Sequence, residues 1–260
     1  MHLALVDVVS SMVETLSRDT KNETVTLSTG HRVELPLVTE ARMTGVVLSA
    51  DPLAARALLP DGLTPIRLTP GRAGVTFLCV EYHRIGRRGE IEPYNEFGVL
   101  VPATAGSGPP PYASILTHGV SGYVWYLPVT TEPAKALGVD VWGYPKDVGD
   151  ITHVDRGSER RTTVTVNDQR VIDITIPRPP TFEQTRSSVS YTIKDGRVLR
   201  EALTLDGDVG FWPYSRVTYS MGDHPRGRQL KSLDLGDRAL LRFAADAEFV
   251  IETGEPIESR

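Results

Sequence analysis

Lys146 is the residue whose setting most suggests covalent chemistry. It is one of five lysines and lies in the stretch GYPKDVGD, Gly143 to Asp150, where a proline precedes it and glycines stand three residues to either side. A lysine amine can attack a ketone and form an iminium, which accepts electrons as a neighbouring C–C bond breaks. This chemistry requires the neutral amine, which only about one free lysine in a few thousand holds at pH 7, so burial or a nearby cation must favour it. The other interpretation of Lys146 is a solvated surface lysine.

Tyr94 and Glu96 are a second pair of residues with the spacing to act together. They lie two positions apart in EIEPYNEFGVLVPA and precede an apolar run. On a β-strand, side chains two positions apart point to the same face, so both would reach one site. A carboxylate in such a place can move a proton during catalysis. The pattern alone also fits a solvated glutamate at a strand edge.

The patterns of other catalytic classes do not occur. The histidines are scattered, with no HExxH or CxxC motif nearby, so we expect no metal site. There is no GxSxG nucleophile motif, and neither GxGxxG nor GxxxxGK[ST] is present to bind nucleotide phosphates. The single cysteine, Cys79, lies in the apolar run VTFLCVEY and is predicted to be a buried structural thiol.

Composition limits the possible partners and location. The formal net charge is −5, which argues against a nucleic-acid partner. The N-terminal stretch MHLALVDVVSSMVETL has no basic leader and carries acidic residues, so it does not resemble a secretory signal. No run approaches the ~20 apolar residues of a membrane span. We therefore expect a cytoplasmic protein with no membrane partner.

The remaining sequence predicts a mostly β protein of the α+β type. Segments rich in valine, isoleucine and threonine are separated by turn signals such as NDQ, KDG and DGD, which favours an antiparallel barrel or sandwich. A few peripheral helices are expected, at residues 1–20, at 51–59 and at 132–138, the last ending at Gly138. Because no linker divides the chain, we expect one domain over residues 1–260, with GSGPPP at 106–111 as a loop.

The run TTEPAKALGVDVWGYPKDVGD resembles the signature of the acetoacetate decarboxylase family. In that pattern a Glu-Pro-Ala helix start is followed by a glycine, then by aromatic-Pro-Lys and a further glycine. The family's Schiff-base lysine then corresponds to Lys146. Upstream, PYNEFGVLVPA resembles the segment that carries the catalytic glutamate, which corresponds to Glu96, while Tyr94 corresponds to a pocket residue of some relatives. A third segment, DPLAARALLPDGLTPI, resembles the family's early helix.

The resemblance implies further site residues and an architecture. The family's carboxylate-binding arginine falls within one residue of Arg42, and a shift of one residue would reverse the strand face. A second acidic residue of the family corresponds to Glu81. Trp142 and Tyr144, with their valine neighbours, would form the apolar wall that keeps the amine uncharged. The implied fold is a β-barrel-like core with outer helices, assembled as a homo-oligomer and needing no metal or cofactor.

One departure from the family pattern leaves the chemistry open. In the decarboxylase proper a second lysine follows the Schiff-base lysine, whereas this chain has Asp147. An extended backbone would turn Asp147 to the opposite side, leaving desolvation to favour the neutral amine. The first hypothesis is decarboxylation of a small β-keto acid such as acetoacetate. The alternatives are aldolase or dehydratase chemistry on a pyruvate-like keto acid, and a non-catalytic relative that binds a small molecule.

Overall fold

The protein is built mainly from β-strands, with three short helices among the residues that the computed structural model describes, 23–105 and 122–257. The helices are α1 (Pro52–Ala57), α2 (Glu132–Trp142) and α3 (Pro225–Lys231). The strands are β1 (Glu23–Thr26), β2 (Arg32–Leu35), β3 (Leu37–Ala50), β4 (Leu63–Pro65), β5 (Arg67–Thr69), β6 (Arg72–Ile85), β7 (Tyr94–Val101), β8 (Ala103–Ala105), β9 (Gly122–Tyr126), β10 (Asp150–Arg156), β11 (Glu159–Val166), β12 (Gln169–Pro177), β13 (Phe182–Lys194), β14 (Arg197–Trp212), β15 (Thr218–Met221), β16 (Ala239–Ile251) and β17 (Glu255–Pro256).

Seven strands close into a barrel, which confirms the predicted fold class. Their order around the barrel is β13-β9-β7-β6-β3-β16-β14, and β14 pairs with β13 to complete the ring. The pairings are antiparallel except between β9 and β13, so the orientation is mixed rather than wholly antiparallel. These two strands are separated in sequence by α2 and β10–β12, and such a long connection allows a strand to return in the same direction.

A second, four-stranded sheet packs on the outside of the barrel. Its order is β10-β11-β12-β15. Outward-facing residues of β6 and β7, including Phe77, Cys79 and Phe97, belong to the same hydrophobic cluster as Val164 and Ile172 of this sheet. Cys79 is a free and fully buried thiol, as predicted, and burial raises its pKa to about 12. The strands of this part of the barrel therefore have two buried faces with different neighbours.

The predicted helices are confirmed in part and corrected in one boundary. Helix α1 begins after Asp51, whose side chain accepts a hydrogen bond from the backbone N–H of Ala54 at 2.8 Å. Helix α2 does not end at Gly138 as predicted but continues to Trp142, so that glycine lies inside the helix. Helix α3 was not predicted from the sequence. The helix predicted within residues 1–20 and the loop predicted at 106–111 lie outside the described residues, and no described helix is long and apolar enough to span a membrane.

Candidate active site

Helix α2 sets the direction in which the chain enters the barrel. Thr131 caps its start by accepting a hydrogen bond from the backbone N–H of Ala134, and Gly143 ends it in the left-handed conformation, with φ of 70°. A Cβ atom on Gly143 would lie 2.4 Å from the carbonyl oxygen of Ile193, so only glycine fits this turn without displacement. The glycine that precedes the lysine motif is therefore needed for the turn itself.

After this turn the chain runs extended beside the segment that follows β9. The backbone N–H of Leu127 donates to the carbonyl of Pro145 at 3.1 Å, and that of Val129 donates to the carbonyl of Asp147 at 2.9 Å. In an extended segment neighbouring side chains point to opposite sides. Lys146 consequently faces the barrel interior while Asp147 faces outward.

The outward orientation of Asp147 shows that its carboxylate does not face the Lys146 amine. Burial, followed by the charge of the Asp147 carboxylate, raises the pKa of the Tyr126 hydroxyl. The same carboxylate also acts on His224, opposing the lowering of its pKa by burial. Asp147 therefore belongs to a group on the far side of its strand from Lys146. The residue that replaces the family's second lysine is not a neighbour of the amine.

Lys146 and Glu96 form a buried ion pair. The lysine Nζ lies 2.6 Å from Glu96 Oε2, and the two side chains are only 3% and 6% exposed. Glu96 is fixed on β7 opposite Val80 of β6, and Tyr82 donates a longer hydrogen bond, 3.4 Å, to its other oxygen. Taking two charges out of water is costly unless they are paired. The pair thus places a proton acceptor directly on the amine.

The lysine side chain lies across a glycine of helix α2. A Cβ atom on Gly138 would lie 2.1 Å from Lys146 Cε and 3.1 Å from its Nζ. Any larger residue at this position would push the end of the lysine side chain away. The local sequence suggested that Gly138 stops the helix, but its role is this close approach.

Aromatic rings enclose the amine on two sides. Nζ of Lys146 lies 5.7 Å from the ring centroid of Tyr94 and 5.8 Å from that of Tyr144. Tyr94 also packs against Tyr82, with 4.6 Å between ring centroids. Burial, and next the Glu96 carboxylate, raises the pKa of both Tyr82 and Tyr94 well above the ordinary value. These hydroxyls therefore stay protonated and can act as hydrogen-bond donors.

Trp142 and Tyr144, which were expected to form an apolar wall, both line the cavity described below. Their rings stack at 5.5 Å, and the Trp142 indole N–H donates to the carbonyl of Glu252 at 2.8 Å. The Tyr144 hydroxyl donates to Glu201 of β14, a fully buried carboxyl group that Ser190 also contacts at 3.1 Å. Burial raises the pKa of Glu201 to about 7. Glu201 was not predicted from the sequence, where its one available signal is a carboxylate between apolar positions of a strand.

These groups surround a cavity of about 120 Å³ inside the barrel. Every barrel strand contributes to its lining, represented in chain order by Met43, Val80, Leu100, Val124, Ser188, Leu205 and Phe243. The lining is predominantly apolar, with Lys146 and Glu96 among the few charged groups. Ligand sites are commonly apolar cavities with a small number of convergent polar groups. The interior of the barrel is therefore the candidate active site.

Arg42 and Glu81, two of the residues that the resemblance suggested, lie outside this cavity. On β3 and β6 they face each other in register, next to the pair Met43 and Val80 that lines the cavity. Arg42 contacts Asp246 at 3.4 Å, and Glu81 accepts from Arg160 at 3.2 Å. Because side chains alternate between the faces of a strand, Arg42 lies on the face opposite to the cavity-lining Met43. The structure does not bring either residue to Lys146.

Arg186 of β13 is the cation that the sequence analysis missed. Among the described residues that line the cavity, Arg186 and Lys146 are the two cations. The Nε atom of Arg186 is buried and has no hydrogen-bond partner among the described residues. A guanidinium with a free donor in an apolar cavity is suited to bind a carboxylate. Also within the described ranges, no group of three or more His, Cys, Asp or Glu side chains is arranged to hold a metal ion.

Residues 24–193 match the sequence profile of the acetoacetate decarboxylase family, ADC, and this match covers more than half of the chain. The chain belongs to the acetoacetate decarboxylase family. The matched range includes Lys146, Glu96 and Arg186, while Glu201 lies beyond it. No curated protein matched the sequence.

Several solved structures share the fold. An acetoacetate decarboxylase structure superimposes with a TM-score of 0.60 at 18% identity, over 85% of this chain and 89% of the other. The enduracididine biosynthesis enzyme MppR, complexed with pyruvate, gives 0.61 at 17% identity over 93% of both chains. MppR complexed with the condensation product of pyruvate and imidazole 4-carboxaldehyde gives 0.58 at 17%, over 85% and 88%. At these identities the likeness establishes the barrel architecture.

Proposed function

We propose that this protein is a lysine Schiff-base enzyme that decarboxylates a small β-keto acid of the acetoacetate type. The observation that carries the proposal is the Lys146 amine, paired with Glu96 at 2.6 Å and pointing into an apolar cavity. An engineered cavity of about 150 Å³ accepts benzene, so a cavity of this size suits a ligand of roughly six heavy atoms. Short keto acids have that size.

The first half of the proposed reaction forms an iminium. Glu96 takes a proton from the Lys146 ammonium, and the freed amine attacks the ketone carbon of the substrate. The resulting carbinolamine loses its hydroxyl group as water, using a proton returned from Glu96, and a C=N bond forms. Proton transfer by a positioned carboxylate typically contributes 10²–10⁴-fold to rate. The 2.6 Å contact gives Glu96 the required reach.

The second half breaks the C–C bond. The bond between the carboxylate and the neighbouring carbon cleaves and CO2 leaves. The electron pair of that bond forms a C=C bond to the iminium carbon, and the C=N π electrons move to the nitrogen, giving an enamine. Protonation at carbon regenerates an iminium, which water hydrolyses to the ketone and the free amine. We assign Arg186 to hold the substrate carboxylate before cleavage, because its buried Nε has no partner among the described residues. Tyr94 and Tyr144, whose rings lie beside the amine, bind the substrate oxygen.

A second candidate function keeps the iminium and changes the outcome. With a pyruvate-like acid, loss of a methyl proton from the iminium gives an enamine that can attack an aldehyde. The similarity to MppR, whose structures hold pyruvate and its condensation product, favours this candidate. The same residues serve both reactions, so the bound keto acid decides between them.

Reductive trapping tests the proposal. The wild-type protein is incubated with acetoacetate or pyruvate in the presence of borohydride, and peptide mass spectrometry locates the adduct. CO2 release from acetoacetate supports decarboxylation, whereas a pyruvate adduct without CO2 release from acetoacetate supports the second candidate. Lys146→Arg should abolish the adduct, and Lys231→Arg, at an exposed site on α3, should not. A folded protein that forms no adduct with either acid contradicts both reactions and favours a binding role.

Three further expectations from the sequence stay predictions. They are a single domain over residues 1–260, a cytoplasmic location and an assembly of identical subunits. Light scattering of the purified chain measures the last of these, and a monomer at working concentrations would contradict it.

A further inference from the structure

Glu201 is a buried titratable group that the proposed reaction does not use. It lies on β14 with no exposed surface, opposite Ser190 of β13. One of its carboxyl oxygens, Oε2, accepts hydrogen bonds from the hydroxyl groups of both Tyr144 and Ser190. The other, Oε1, is buried without a hydrogen-bond partner among the described residues. A buried carboxylate oxygen without a donor is poorly stabilised, which favours the protonated form.

Tyr144 connects this carboxyl group to the reacting centre. Its hydroxyl contacts Glu201, while its ring lies 5.8 Å from the Nζ of Lys146 and lines the cavity. A tyrosine hydroxyl has a single hydrogen, so it donates in only one direction at a time. The direction depends on whether its neighbour can accept that hydrogen.

We propose that Glu201 is a positioning residue whose protonation state decides whether Tyr144 directs its hydroxyl hydrogen to Glu201 or into the cavity toward a bound keto acid. When Glu201 is ionised, it accepts the Tyr144 hydrogen, and the phenol offers the cavity only an oxygen lone pair. When Glu201 is protonated on Oε2, that O–H donates to the phenol oxygen, and the Tyr144 hydrogen is free to stabilise oxygen or nitrogen in the cavity. No bond other than these hydrogen bonds changes, and the proton on Glu201 exchanges with solvent. The substrate-facing part of this inference rests on the proposed function.

The surroundings of Glu201 place this switch near neutral pH. Burial raises its pKa to about 7, with the Tyr144 and Ser190 hydroxyls opposing the rise. Beyond Tyr144 lie Lys146 and Glu96, which neutralise each other as a pair. The next charged residue on the same strand, Arg200, points to the opposite face by strand alternation and is exposed. Tyr144 itself stays a phenol, because burial and then Glu201 raise its pKa well above the ordinary value.

The direct test is carbon NMR of the full chain labelled at the tyrosine Cζ atoms, recorded without substrate. Tyr144→Phe identifies the Tyr144 signal. In the wild type we expect this signal to shift in one step near neutral pH, between about pH 5 and pH 9. In Glu201→Gln the step should disappear, because an amide does not titrate. Ser190→Ala, which removes a donor to the carboxylate, should move the step to higher pH. A wild-type signal that stays flat, or moves identically in Glu201→Gln, overturns the inference.

A second measurement separates this inference from the proposed function. The rate of adduct formation with pyruvate is measured against pH, using the ratio of wild type to Glu201→Gln to cancel the pH dependence of the reductant. If protonated Glu201 is required, this ratio falls by about tenfold per pH unit above the transition. A ratio that does not change with pH contradicts the role of Glu201 in the reaction. If no adduct forms at all, the proposed function fails, and the substrate-free NMR titration still decides the behaviour of Glu201.

Discussion

The inner and outer faces of the barrel wall formed by β3, β6 and β7 differ in how their charged groups are paired. On the inner face, Lys146 and Glu96 form one close pair beside open space. On the outer face, under the second sheet, Arg160 binds both oxygens of Asp155 at 2.7 and 2.9 Å and Glu81 at 3.2 Å. Arg160 is 1% exposed, so a buried charged side chain occurs on both faces. Burial of charge alone therefore does not distinguish a reactive site from a structural one.

The difference lies in how many partners fix each charge and what lies next to it. The outer network holds its arginine through several charge-assisted hydrogen bonds, and Arg160 does not line the barrel cavity. The inner pair has a single short contact and aromatic neighbours, with a cavity of about 120 Å³ adjacent. A charged pair with few partners can exchange a proton when a ligand arrives. We expect substitutions on the inner face to change chemistry and those on the outer face to change stability.

The largest expected effect is that of Glu96→Gln. An amide cannot take the proton from Lys146, so the rate of adduct formation with pyruvate should fall by about 10³-fold. Glu81→Gln is the matched change on the outer face and should leave the rate within about threefold. Circular dichroism confirms that both variants are folded. Equal losses in the two variants would remove the distinction between the faces.

Glu201→Gln should alter how stability depends on pH. The pKa of Glu201 is about 7 in the folded chain and 4.5 as a reference, so between these values the folded state holds the extra proton and wild-type stability falls as pH rises. The free energy of unfolding of the wild type relative to Glu201→Gln should decrease by about 3 kcal/mol across this range. Urea denaturation at several pH values measures it. If this difference does not change with pH, the pKa of Glu201 is not raised in the folded chain.

Gly138→Ala tests the positioning of the amine without replacing a charged residue. The new methyl group would lie 2.1 Å from Lys146 Cε, and the flexible lysine end can move away without unfolding the helix. Misplacing a reacting group by about 1 Å can cost about 10²-fold in rate, and we expect a loss of that order in adduct formation. Val139→Ala, at the neighbouring exposed position, is the control. An unchanged rate in Gly138→Ala would mean that the lysine acts from another conformation.

Arg160→Met should have the smallest effect, and we expect it to change stability and not adduct formation. It removes the bonds to Asp155 and Glu81, both of which are partly exposed and can be solvated, so we expect a loss of about 2 kcal/mol in the free energy of unfolding. Adduct formation per folded molecule should be unchanged. Thermal unfolding and trapping measured on the same samples give both quantities. A large catalytic loss would connect the outer network to the inner site.

The sequence allowed the barrel and the central pair to be predicted, for different reasons. The strands can be recognised from runs of β-branched residues between turn signals, which are a local property of each segment. Lys146 and Glu96 were assigned through the resemblance, and spacing alone placed Tyr94 on the same face as Glu96. The structure brings all three to one cavity.

Other parts of the site depend on information that is not local. A single-residue register shift decides that Met43, and not Arg42, lines the cavity, and sequence patterns do not resolve such a shift. Gly138 was misread as a helix stop because its contact partner lies eight residues further along the chain, across a turn. Arg186 could not be predicted as a cavity residue, because the cavity that it lines exists only in the closed barrel.

The central claim is that the buried amine at position 146 becomes covalently attached to a keto acid. Its most direct test is mass spectrometry of proteolytic peptides after borohydride reduction of the wild-type protein with acetoacetate or pyruvate. The account predicts one reduced adduct per chain, on the peptide that carries Lys146, and none in Lys146→Arg. An adduct spread over other lysines, or a folded wild-type chain that remains unmodified by both acids, would contradict it.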